Sequence, residues 1–122
     1  MVKKSRNFWE SLGFAGDGIL YSLRTQRNMR IHGLFTLGVL LAALYFHIST
    51  TELLILLLTI LMVVTLEMIN TAVETVVDMY TEEYLLLAKV AKNVAAGAVL
   101  LASFGAVIIG AIIFGPKVWA LF

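Results

Sequence analysis

The chain has 122 residues, 61% of them apolar and 14% charged, with a formal net charge of +1 and no cysteine. A soluble domain carries roughly 45–50% apolar and about 25% charged residues, so lipid is the more economical solvent for this composition. Without thiols, disulfides and thiolate metal sites are excluded, and the small net charge gives no reason to expect a nucleic-acid partner. The length predicts one domain, 1–122.

The first predicted element is an amphipathic helix over 5–28. Phe8, Leu12, Ile19, Leu20 and Leu23 fall near one helical stripe, with Glu10, Asp17, Arg24 and Arg27 mostly off it. That pattern suits a helix lying on a membrane surface, its basic residues among anionic headgroups. Gly13, Gly16 and Gly18 weaken it and predict a bend or break. No apolar core with a cleavage site follows the basic start, so the N-terminus is expected to be retained.

Three apolar segments follow, over 31–48, 53–80 and 94–114, the last stopping at Gly115-Pro116. A span needs about 20 residues to cross about 30 Å of hydrocarbon. The first and third segments meet this directly; the second does so only by absorbing Glu67 and Asn70. His32 and His47, near the ends of the first segment with no carboxylate close in sequence, read as interfacial residues. Trp9, Tyr45 and Trp119 fit the aromatic belts of the two interfaces. The "ISTTE" turn at 48–52 carries no Lys or Arg, whereas the N-terminus and the 81–93 connection hold eight of the nine. The positive-inside rule then places both of those in the cytoplasm and the C-terminus outside.

The stretch "LEMINTAVETVVD", Leu66 to Asp78, ends the second segment. At about 100° per residue, Glu67, Asn70, Thr71, Glu74 and Asp78 share an arc of roughly 100°. A carboxylate in the bilayer costs a few kcal/mol or more, so three on one face imply a polar interior, a partner or a bound cation. A solvated helix end would account for Asp78, and ion pairs to Lys89 and Lys92 would account for part of the rest. Oxygen ligands at i and i+7 with an amide between also suit Mg²⁺ held together with phosphates, and a further carboxylate could take a proton from a hydroxyl. Geometry alone leaves phosphoryl transfer and ion transport both open.

Lys89, Lys92 and Asn93 stand at the cytoplasmic end of the third segment, the lysines positioned to meet phosphate. Ala91, Ala95, Ala98, Ala102 and Gly105 form a small-residue seam that permits close helix approach in lipid. No GxxxxGK occurs, and "GFAGDG" is too irregular for a phosphate loop.

The central stretch fits E-x-x-N-[ST]-A-x-E-x-x-V-D. With "LAKVAKNVAAGAVLLA", the closing "IIFGPK" and the Gly18–Asn28 region "GI…RTQRN", the chain resembles the small bacterial membrane kinases of the diacylglycerol kinase and undecaprenol kinase family, over about residues 8–117. The resemblance implies an all-α membrane protein of three spanning helices plus an N-terminal surface helix, assembled as a homotrimer with shared active sites in the bacterial cytoplasmic membrane. It implies ATP and Mg²⁺, and phosphorylation of a lipid hydroxyl. Carried over by motif, Glu67 corresponds to the general base, positioned by Asn70, and Glu74 to a Mg²⁺ ligand. Gln26 stands where a second metal-binding carboxylate is usual, in "QRN" rather than "ERN". Asp78, Lys92 and Asn93 correspond to nucleotide-contacting positions, Asn93 standing in "AKN" where "AKD" is usual. Each amide keeps the shape of a carboxylate without its charge, which weakens affinity for Mg²⁺. Leu85-Leu86 replaces a frequent "HP". The ending "AAGAVL…IIFGPK" favours undecaprenol over diacylglycerol as the implied substrate. A membrane scaffold that has lost turnover is the competing reading, supported by Gln26 and Asn93. A channel is weaker, because no charge lies between Glu52 and Glu67.

Overall fold

The structure, a computed structural model, describes residue 4 and residues 6–80, 82–83 and 85–122. Four helices account for most of them: α1 (Phe8–Thr25), α2 (Arg27–Phe46), α3 (Thr50–Tyr80) and α4 (Leu86–Trp119). Helices α2, α3 and α4 are each long and apolar enough to cross a membrane.

Helix α1 begins at a side-chain cap, Asn7 Oδ1 accepting from the Glu10 backbone N–H at 2.9 Å, while Glu10 Oε2 accepts from the Arg6 N–H at 2.7 Å. Satisfying these first-turn donors offsets part of the cost of the three glycines. The helix is accordingly continuous from Phe8 to Thr25, without the break that Gly13, Gly16 and Gly18 predicted. It ends at Gln26, which is at once the C-cap of α1 and the N-cap of α2, in an extended conformation. The elbow between surface helix and first span is therefore this single residue.

Helix α2 closes on His47, the described non-glycine residue with positive φ, at 50°. The left-handed turn lets its N–H cap Ala43 and Leu44 carbonyls. Ser49 and Glu52 then form a reciprocal capping box for α3: Ser49 Oγ accepts from the Glu52 N–H at 3.1 Å and Glu52 Oε1 from the Ser49 N–H at 3.2 Å.

Helix α4 begins eight residues before the predicted third span and continues beyond Gly115-Pro116 to Trp119. Pro116 lies in its last turn, so the i→i−4 bond it cannot donate, to the Ile112 carbonyl, is lost only at the end of the helix. The early start puts Lys89, Lys92 and Asn93 on helix rather than in the 81–93 connection. The α3 and α4 contact is the most extensive in the fold, and Ala91, Ala95, Ala98, Ala102 and Gly105 are all half-buried.

Two ion pairs clamp this antiparallel couple, Glu52 to Lys117 at 2.7 Å and Asp78 to Lys92 at 2.5 Å. Glu52 and Asp78 are 26 residues apart on α3 and Lys92 and Lys117 are 25 apart on α4, so one register satisfies both. At about 1.5 Å per residue the pairs stand roughly 39 Å apart, more than the ~30 Å of hydrocarbon between them.

The interior is of mixed polarity and the exterior strongly apolar. Among the described residues the buried apolar ones are Met29, Ala43, Leu56, Val63, Val99 and Ile113, and the buried polar ones, nearly as numerous, are Ser22, Thr59, Glu67, Asn70 and Thr71. The chain exposes 9420 Å², where a compact 13.4 kDa soluble monomer would expose about 6,500 Å². That excess apolar surface needs lipid or further subunits to cover it.

Candidate active site

On α3 the buried residues are Leu56, Thr59, Val63, Glu67, Asn70 and Thr71. They fall within an arc of roughly 120° at the helical period, so the acidic face of the sequence is the face that α3 turns to its neighbours. Glu67 is 1% exposed and Asn70 is 7% exposed, Glu74 is half-buried and Asp78 is exposed. Burial thus relaxes along the stripe toward the end of α3.

Thr71 Oγ1 donates to the Glu67 carbonyl at 3.0 Å, leaving the carboxylate itself to another partner. That partner comes from α2: His32 Nε2 lies 3.6 Å from Glu67 Oε2. His32 is therefore not simply an interfacial residue, as the lack of a carboxylate near it in sequence implied. The signal was present in the spacing. His32 lies sixteen residues before Ile48 and Glu67 nineteen after it, so a tight hairpin at 47–49 sets them within about one helical turn in depth.

Asn70 behaves differently from the positioning role carried over by motif. Its Nδ2 donates to Glu74 Oε1 at 3.2 Å rather than to Glu67. Its Oδ1 is buried with no partner among the described residues, and such an acceptor costs about 1–3 kcal/mol if left unmet. The Asn70 amide thus turns its nitrogen to Glu74, and its oxygen and the Glu74 carboxylate are separate hard acceptors about one helical turn apart. That set fits Mg²⁺, which binds through one or two protein oxygens plus substrate phosphates. Among the described residues no three His, Cys, Asp or Glu side chains converge on a metal position, so such an ion would bring phosphate oxygens with it.

Gln26 stays apart from this pair. Its Nε2 donates to Thr25 Oγ1 at 3.5 Å, and no hydrogen bond links it to Glu74 among the described residues.

Beyond Glu74, Asp78, Lys92 and Asn93 line one cleft of about 630 Å³ together with Val77, Glu82, Glu83, Leu85, Ala88 and Lys89. The three positions expected to contact nucleotide, Asp78, Lys92 and Asn93, thus converge, held by the junction of α3 and α4. Lys92 spans the cleft to Asp78. On the other side of Glu67 an apolar cavity of about 330 Å³ opens between α2, α3 and α4, with Phe35, Leu56, Val63 and Ala106 in its walls and His32 among its lining residues.

Three spanning-length helices and one continuous face, passing from an apolar cavity through buried polar groups to a charged cleft, define a small helical membrane protein. The chain belongs to the prokaryotic diacylglycerol kinase family, which it matches over residues 13–114. It is 42% identical over 116 residues to a diacylglycerol kinase of Synechocystis sp., covering 94% of this chain and 66% of that protein. It is 40% identical over 110 residues to an undecaprenol kinase of Bacillus subtilis, covering 90% of this chain and 89% of that protein. The chain thus spans just under two thirds of the first relative's length and most of the second's.

Proposed function

We propose that this protein transfers the γ-phosphoryl group of ATP to the hydroxyl of a membrane lipid. The observation that carries the reading is the order of groups along one face of α3: apolar cavity, buried Glu67, the Asn70–Glu74 pair, then the Asp78–Lys92 cleft. The lipid's chain would occupy the cavity and bring its hydroxyl to Glu67 from within the bilayer. The hydroxyl oxygen attacks the γ-phosphorus and its proton passes to the Glu67 carboxylate. The bond from γ-phosphorus to the bridging oxygen breaks, and ADP leaves with that oxygen. Lys92 and Asp78 would hold the nucleotide in the cleft, Lys92 exchanging its ion pair for phosphate, with Asn93 beside them. Glu74 and the Asn70 amide oxygen would hold Mg²⁺, which neutralises charge on the phosphates. Gln26 joins this set only through movement at the α1–α2 elbow.

Undecaprenol is the proposed acceptor. The cavity walls are almost wholly apolar, and the chain matches the undecaprenol kinase over most of that protein's length. Diacylglycerol is the second reading, favoured by the Synechocystis relative at 42% identity. Labelled-phosphate transfer from Mg-ATP to each lipid in mixed micelles decides between them, the faster-labelled lipid being the substrate. Gln26→Glu and Asn93→Asp, run alongside, are expected to turn over faster at limiting Mg²⁺. Labelling of neither lipid by any of these chains would sink the kinase reading and favour a binding scaffold.

A further inference from the structure

Glu67 must hold one carboxylate oxygen toward an incoming hydroxyl, yet a glutamate side chain gives up roughly 1.5–2 kcal/mol of rotamer freedom to stay in one pose. Nothing on α3 restrains its carboxylate. Asn70, one turn on, gives its amide to Glu74 at 3.2 Å, and Thr71 binds only the Glu67 backbone carbonyl at 3.0 Å. The described side chain that meets the carboxylate is His32 of α2, with Nε2 at 3.6 Å from Oε2.

We propose that His32 is the positioning residue for Glu67. Its Nε2–H donates to Oε2, fixes the plane of the carboxylate and leaves Oε1 for the lipid hydroxyl. The inference rests on the reading of Glu67 as general base. A separation of 3.6 Å is longer than a formed hydrogen bond of about 2.7–3.2 Å, as catalytic contacts often are before substrate is bound. Closing it takes only a few tenths of an ångström. The same imidazole lines the apolar cavity, so a lipid chain seated there touches His32 directly. Occupancy of the cavity and orientation of the base are thereby coupled through one side chain. Neutral imidazole carrying its proton on Nε2 suffices for this role, and no change of charge is required of it.

Kinetics and spectroscopy test the assignment separately. His32→Ala is expected to lower kcat by about 10- to 100-fold, in line with misplacing a catalytic group by an ångström, while KM for lipid and for Mg-ATP stays within about threefold. His32→Gln, whose amide N–H can stand in for Nε2–H, is expected to recover most of the loss. In a Glu67→Gln background His32→Ala should cost nothing further, because residues acting through one another are not additive. The chain has two histidines, His32 and His47, so ¹⁵N-histidine NMR in detergent micelles resolves them without turnover. Glu67→Gln should displace the His32 Nε2 signal and leave that of His47 in place.

An unchanged His32 signal, or full kcat in His32→Ala, overturns the proposal. So does a loss that appears in KM alone or that glutamine fails to rescue. If Glu67→Gln keeps full kcat while the His32 signal moves, the contact stands and it is the base reading that fails.

Discussion

Glu67 is the position where burial and chemistry meet most sharply, and its neighbours divide the labour around it. Replacing it with glutamine keeps the shape and removes the proposed proton acceptor. Glu67→Gln is therefore expected to lower kcat by about 100- to 10,000-fold with little change in KM for Mg-ATP, measured by labelled-phosphate transfer. Glu74→Gln should act on the other axis. It leaves a hydrogen-bond partner for Asn70 but removes the one negative charge of the pair, so the Mg²⁺ concentration giving half-maximal rate should rise about tenfold or more. Lys92 is partly exposed in the cleft, and a solvated lysine contributes modestly. Lys92→Ala should raise KM for ATP by about fivefold and leave KM for lipid as it was. The carboxylates and the amide were legible as one set in the sequence because their spacing repeats the helical period, and Lys92 was legible beside them through the family motif. His32 was not, because its partner is 35 residues away and only the hairpin between α2 and α3 brings the two to one depth. The Asn70–Glu74 bond was equally hidden: i, i+3 and i, i+4 partners compete on a helix, and side-chain rotamers choose between Glu67 and Glu74.

At the scale of elements, each helix is held by its ends as much as by its faces. The Ser49–Glu52 box starts α3, and the same glutamate reaches Lys117 of α4, whose Nζ also donates to the Ile113 carbonyl at 2.9 Å. Ser49→Ala removes the cap and should destabilise the protein by about 1 kcal/mol, seen as a lower Tm in detergent. Activity below that temperature should persist, because Ser49 stands at the end of α3 remote from the Asp78 cleft. The existence and order of the helices followed from apolar length for the three spans and from an amphipathic stripe for α1. Their ends did not. Helix α1 survives its glycines through its cap, α4 passes Pro116 because a last turn tolerates it, and α4 starts at Leu86 because the α3–α4 contact extends beyond the apolar run. That last difference is functional, since it converts Lys92 and Asn93 from loop residues into fixed members of one wall of the cleft.

At the scale of the whole molecule, a single chain leaves much apolar surface uncovered. Its exposed surface is well beyond that of a compact chain of its mass, and large apolar side chains such as Leu34, Phe35, Leu58, Leu101 and Phe104 are exposed on α2, α3 and α4. A homotrimer would cover part of that surface and could carry the neighbour's groups toward Gln26 and Asn70 Oδ1. Light scattering with the detergent contribution subtracted should give three protein chains per micelle.

By itself the sequence determined the solvent, the number of spans and the chemical character of one helix face. These depend on composition and on a period of 3.6 residues, and both are local properties of the chain. Tertiary structure alone decided which polar groups meet. His32 with Glu67, Lys117 with Glu52 and Lys92 with Asp78 are contacts between helices, fixed by hairpin register and by two turns whose lengths no single segment encodes. The buried Asn70 oxygen is a product of the same packing, because an acceptor is left without a partner only once neighbouring helices have closed around it.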